Sequence, residues 1–168
     1  MQENMTCPKI IAINPGWRYL AIAIFSDCEL SEWRLKCLPG KDVQRKLKKV
    51  NDILAGLIAR YNPEILVIKK LHPARSSANL KNMATGIEAY CRKRGMAVIS
   101  YSIQDLKSVM IGRGRTNKKE LIKILTAEYP ELAHEFKREA RNRNPYFLRL
   151  FEAVALGHVC LSAINDKH

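Results

Sequence analysis

Hydrophobic and polar positions along this chain switch between two periods, and the switches mark its elements. Lys9 to Ile13 (KIIAI) is an almost continuous apolar run, the pattern of a strand buried on both faces. Asn14-Pro15-Gly16 breaks it with three turn-forming residues. Tyr19 to Phe25 (YLAIAIF) predicts a second strand and the alternating Glu32 to Leu38 (EWRLKCL) a third. Short turns between them favour an antiparallel meander. From Asp42 the period becomes helical, with Val43, Leu47, Val50, Leu54, Leu57 and Ile58 on one face and lysines and arginines on the other. Pro63 closes that helix, and Glu64 to Ile68 (EILVI) predicts a buried strand. A helix from about Ser77 to Arg94, ended by Gly95, leads into a fifth strand at Met96 to Tyr101.

The remainder reads as helical. A short helix near Gln104–Met110 precedes the loop IGRGRT, and another helix runs from Asn117 to about Tyr129. After Pro130, a charged helical excursion occupies Glu131–Arg143. A last helix spans Pro145 to about Ile164, with proline in its first turn and a strongly apolar face. The order predicts an α/β fold, a mixed sheet with helices on both faces. One domain over residues 1–168 is expected, with a charged helical insertion at about 131–143 and no internal repeat or linker.

Composition narrows the function. Hydrophobic residues make up 47% and charged residues 27%, a globular profile. No apolar run reaches the roughly 18–20 residues that span a bilayer, and the start, MQENMTCPK, has no signal-peptide pattern. A cytoplasmic protein without a membrane partner is expected. The five cysteines (Cys7, Cys28, Cys37, Cys91, Cys160) are scattered and never form a CxxC pair, so they read as reduced thiols without disulfides or metal. The net charge of +13 favours a polyanionic partner, because each lysine or arginine on a phosphate releases counterions.

The basic residues cluster. Lys107, Arg113, Arg115, Lys118, Lys119 and Lys123 face only Asp105 and Glu120 in the same stretch. Gly112 and Gly114 let backbone amides approach a ligand, and Thr116 or Asn117 can cap the next helix. Such a loop suits phosphate contact. His72, with Pro73, Arg75 and Ser76, makes a polar loop able to touch nucleic acid. Lys137, Arg138, Arg141 and Arg143, and the run Lys46, Lys48 and Lys49, read equally well as solvated helix faces. Trp17 and Trp33 read as packing residues, with base stacking the unsupported alternative, and His158 as a packed residue. No hydrolase elbow, zincin motif or Walker loop is present.

Four short motifs in order, on these elements, resemble the RuvC Holliday-junction resolvases of the ribonuclease H-like superfamily. That family carries a hydrophobic-Asp-Pro-Gly turn after its first strand, where this chain has Ile11-Ala-Ile-Asn-Pro-Gly16. It carries Ile-Glu at the end of the fourth strand, here Ile68-Lys69. Its Gly-x-Gly loop and following lysine become Gly112-Arg113-Gly114 and Lys118. Its last helix bears two acidic positions three apart before an apolar run, here Arg149 and Glu152 before Ala153–Gly157. The resemblance implies a five-stranded sheet in order 3-2-1-4-5, a junction endodeoxyribonuclease activity, branched DNA as partner and a homodimer. It also places DNA-contacting lysines at Lys107 and Lys118, and a side chain at the junction centre near His72.

In such nucleases four carboxylates hold two divalent ions, magnesium or manganese, that align water and stabilise the leaving oxygen. On that pattern the positions here are Asn14, Lys69, Arg149 and Glu152, and four negative charges become a net +1. An ammonium about 4 Å from a unit cation costs roughly 4 kcal/mol at an effective dielectric of about 20, and twice that beside a dication. No cofactor is therefore expected. Glu152 is the retained carboxylate, and Lys69 either pairs with it structurally or helps a cationic pocket hold a phosphate. The expected function is binding of branched DNA with cleavage lost. Two alternatives stand beside it: an active metal-dependent nuclease using Glu152 with other carboxylates such as Asp105 or Glu64, and a protein-interaction module without nucleic acid.

Overall fold

A computed structural model describes residues 7–112, 118–134, 137 and 146–166. Strands β1 (Ile10–Asn14), β2 (Tyr19–Ser26) and β3 (Glu29–Cys37) form the antiparallel meander. Helix α1 (Val43–Tyr61) leads to β4 (Ile65–Lys69), α2 (Ala78–Lys93) to β5 (Ala97–Tyr101), and β4 lies parallel to both β1 and β5. The sheet order is β3-β2-β1-β4-β5. Helices α3 (Ile103–Met110) and α4 (Lys118–Glu128), a 3-10 turn at Pro130–Leu132 and α5 (Tyr146–Asn165) complete the described elements. Most of the insertion expected at about 131–143, and Pro145, lie outside the described residues.

Local chemistry sets the ends. Asp42 caps α1 by accepting from the Gln44 amide at 2.9 Å, and Asn62 ends it in the left-handed conformation. Ser77 caps α2. Ser102 and Asp105 form a reciprocal capping box on α3, the side chain of each accepting from the other's backbone amide. The hairpin between β2 and β3 turns through Asp27 and Cys28, both at positive φ. This tight two-residue turn lets β3 begin at Glu29, three residues before the alternation suggests.

The period of the strands divides the core in two. Ile11, Ile13, Ile22, Ile24, Leu66 and Ile68 pack under α1 and α2. Ile10, Ala12, Ala21, Ala23, Phe25 and Val67 pack under α3, α4 and α5. Alanines on this second face, with Ala153 and Ala155 on α5, bring helix and sheet close. Gly157 completes the fit, since a side chain there would run into the Phe25 ring. By length and composition Leu148–Asn165 passes for a membrane span (mean hydropathy 1.3), yet 61% of that window is buried inside the fold.

Two expectations are corrected. Cys7 and Cys28 are joined as a disulfide, their Cα atoms 5.4 Å apart. Ile10 pairs with Phe25, so three residues further out on each strand Cys7 falls opposite Cys28. Sequence spacing does not display that register. The other three thiols are free, and burial pushes Cys91 and Cys160 up to about 11. Lys46, read as part of a solvated face, is 2% exposed.

Candidate nucleic-acid interface

One edge of the sheet gathers the ends of β1, β3, β4 and β5 and the start of β2. The turn after β1, the loops after β3 and β4 and the entry to α3 all emerge there. Asn14 closes β1 on the same face as Ile10 and Ala12, and Lys69 closes β4 on the same face as Ile65 and Val67. Ile13 pairs with Ile68, so the two site residues end adjacent strands and both face α5.

Helix α5 brings Glu152 down between them. The Asn14 amide Nδ2 donates to Glu152 Oε2 at 2.8 Å and to the Arg149 carbonyl at 3.2 Å. Lys69 Nζ donates to the same Glu152 oxygen at 2.8 Å. The Glu152 side chain is 4% exposed and that of Lys69 23%, so the pair is sunk but open on the lysine side. The Arg149 guanidinium lies over Gly16, where any larger residue would meet it and the Tyr19 carbonyl. Asn14, Lys69, Arg149 and Glu152 therefore surround one place.

The donors do not fit the paired divalent ions that the resemblance implies. Hard cations take oxygen ligands, preferably anionic. This place offers one carboxylate, an amide already donating to it, an ammonium and a guanidinium. Among the described residues there is no group of three or more His, Cys, Asp and Glu side chains able to hold a metal. The ammonium occupies the Glu152 oxygen Oε2. The charges of these side chains sum to +1, cationic rather than anionic.

Asp105 is engaged in the α3 capping box, which holds its carboxyl below the usual range. Glu64 precedes β4, at the opposite edge from Lys69; its backbone amide there bonds to the Lys9 carbonyl.

The other sequence-read residues lie on several elements. His72 lies in the exposed loop after β4, its Nδ1 accepting from the Ala74 and Arg75 amides at 3.1 and 3.2 Å. The ring thus folds its own loop. Lys107 is part-buried on α3, and Lys119 is exposed on α4. The backbone of Lys118 starts α4, while Arg113 and Arg115 lie outside the described residues.

Sequence reasoning missed Lys46. Its Nζ donates to the Leu38 carbonyl at 2.9 Å and to the Trp17 carbonyl, and sits 4.1 Å from the centre of the Trp17 ring. Burial pushes its pKa down; Cys37 opposes the shift and the Arg18 charge adds to it. A lysine on the apolar side of the α1 pattern was the available signal.

A family model described as crossover junction endodeoxyribonuclease RuvC matches residues 10–137. Curated relatives include the enzyme of that name from Citrifermentans bemidjiense, 25% identical over 93% of this chain and 94% of its own. The one from Pelobacter propionicus is 28% identical over 74% and 77%. Among solved structures, Thermus thermophilus RuvC superposes with a TM-score of 0.70 at 12% identity, covering 94% of this chain and 96% of its own. A fowlpox virus resolvase, solved with Holliday junction DNA, gives 0.58 at 16% identity over 93% and 98%.

Proposed function

Because this chain belongs to the RuvC family of crossover junction endodeoxyribonucleases, we propose that it binds branched DNA and has lost metal-dependent cleavage. The observation that carries the reading is the 2.8 Å contact between Lys69 Nζ and Glu152 Oε2. It supports the reading because an ammonium stands beside Glu152, and metal-dependent chemistry needs anionic ligands there. Lys69 and Arg149 then serve as the counter-charge for a junction phosphate. His72, Lys107, Lys119, Lys118, Arg113 and Arg115 extend the contact along neighbouring strands. The net charge of +13 supports strong, salt-dependent attraction to the backbone.

Three further points complete the reading. No magnesium or manganese is required, since the counter-charge is covalently part of the protein. The chain works as one unit, its sheet and helices sharing continuous cores. A homodimer remains part of the reading, because a four-way junction presents two equivalent strands.

The test uses a labelled four-way junction and a matched linear duplex, each with magnesium, manganese or a chelator, run on native and denaturing gels. The expected result is a shifted junction with intact strands, a shift unaffected by chelator and a stoichiometry of two protomers per junction. Cleaved strands in the presence of either metal would overturn the loss of cleavage. Equal affinity for junction and duplex would overturn the branched-DNA preference. No shift at low salt would leave the protein-interaction reading in its place.

A further inference from the structure

A second surface on the same edge of the sheet has a chemistry of its own. Two adjoining hollows, of about 340 and 380 Å³, flank the loop Leu38–Lys41, which lines both. Trp17 and Arg18 line the first, Arg45 and Lys49 the second. Arg18, Lys41, Arg45 and Lys49 are exposed, while Trp17 is half-buried. The acid among them, Asp42, is occupied in capping α1 and lies 3.8 Å from Arg45.

The indole is held in position from below. Lys46 ties the Trp17 carbonyl to the Leu38 carbonyl through one ammonium and places its charge against the ring. A buried lysine without a carboxylate is costly, and what this one secures is the position of Trp17 relative to the loop after β3. A fixed aromatic surface rimmed by four cations matches a nucleotide in both its parts. The base stacks on the indole and the flanking phosphates meet the cations. A duplex keeps its bases stacked inside and offers only phosphates, so the indole adds affinity for unpaired nucleotides alone.

We propose that the hollows beside Trp17 form a subsite for an unpaired nucleotide of single-stranded DNA, with the base on the indole and phosphates on Arg18, Lys41 and Arg45. The subsite rests on the branched-DNA reading for its context. Trp17 follows Asn14-Pro15-Gly16 directly, so a strand leaving the branch point meets both places on one edge.

Trp17 and Trp33 are the two tryptophans of the chain, so Trp33→Phe leaves Trp17 as the fluorescent reporter. This protein is titrated with a single-stranded oligothymidylate and with a duplex of equal length. Quenching of Trp17 by the single strand, at lower concentration than by the duplex, is expected. Trp17→Ala in the natural background is expected to weaken single-strand binding about 5- to 100-fold. Arg18→Glu with Arg45→Glu, both on exposed positions, is expected to lower the salt dependence by about two phosphate contacts. Unchanged Trp17 emission at saturating single strand overturns the subsite, as does equal quenching by duplex. Quenching without any junction shift sinks the junction reading and leaves the subsite standing. A junction shift without quenching does the reverse.

Discussion

Lys46 and Lys69 both carry an ammonium into the body of this protein, and their surroundings differ in how fully its donors are occupied. An ammonium has three donors. Those of Lys46 meet two backbone carbonyls and an indole ring, and the side chain is closed off from water. Lys69 meets the Glu152 carboxylate and keeps 23% of its side chain exposed. The first is spent on holding the chain together. The second retains both access and directed charge, which a ligand requires. Burial alone therefore does not separate the two lysines; the occupancy of their donors does.

The largest effect that sharpens this contrast is on stability. Lys46→Met removes the donor to two carbonyls, and its expected cost is about 2–4 kcal/mol, read by chemical denaturation. A loss well under 1 kcal/mol would mean that water satisfies those carbonyls and that Lys46 is not a fastener. Next come effects on binding. Lys69→Gln is expected to weaken junction affinity roughly 5- to 10-fold and to lower the salt slope by about one. Glu152→Gln removes a competing anion and is expected to move affinity the other way. Weaker binding by both variants would contradict a phosphate in the pocket.

The smallest effect concerns pH. His158 Nδ1 lies 2.8 Å from the Tyr129 hydroxyl, and the rings meet edge to face. Burial holds the imidazole below its ordinary value of 6.5, against the pull of Glu128. Below pH 6.5 the unfolded chain takes up a proton that the folded chain still refuses. Stability is then lost as the pH falls from 6.5 to the lowered folded value, and becomes level below it. Stability measured across this window should slope in the natural protein and flatten in His158→Gln. Equal slopes would assign the pH dependence to other groups.

The elements were legible where the period was clean. β1, β4 and the apolar stripe of α1 followed directly from their patterns, and parity along β1 and β4 explains why Asn14 and Lys69 share a face. The sheet order came from the resemblance, since periodicity says nothing about which strands are neighbours. Lys46 was misread because its sequence neighbours, Arg45, Lys48 and Lys49, are all surface cations. Only packing reveals that this one points inward. The Cys7–Cys28 link was hidden because it depends on antiparallel register and on a hairpin turn that places Cys28 at positive φ, where no familiar turn signal such as Asn-Gly stands. The convergence of Arg149 on Gly16 was equally invisible, being a contact between the first turn of the sheet and the last helix.

The close seat of α5 on the sheet has a consequence for how such a protein can change over generations. What holds the helix down is small residues: Ala12, Ala21 and Ala23 beneath it, Ala153 and Ala155 on it, and Gly157 against Phe25. None of these belongs to the charged place at its end. Anchorage and the charged place thus rest on different residues. A substitution among the four residues at the edge therefore need not disturb the walls around them.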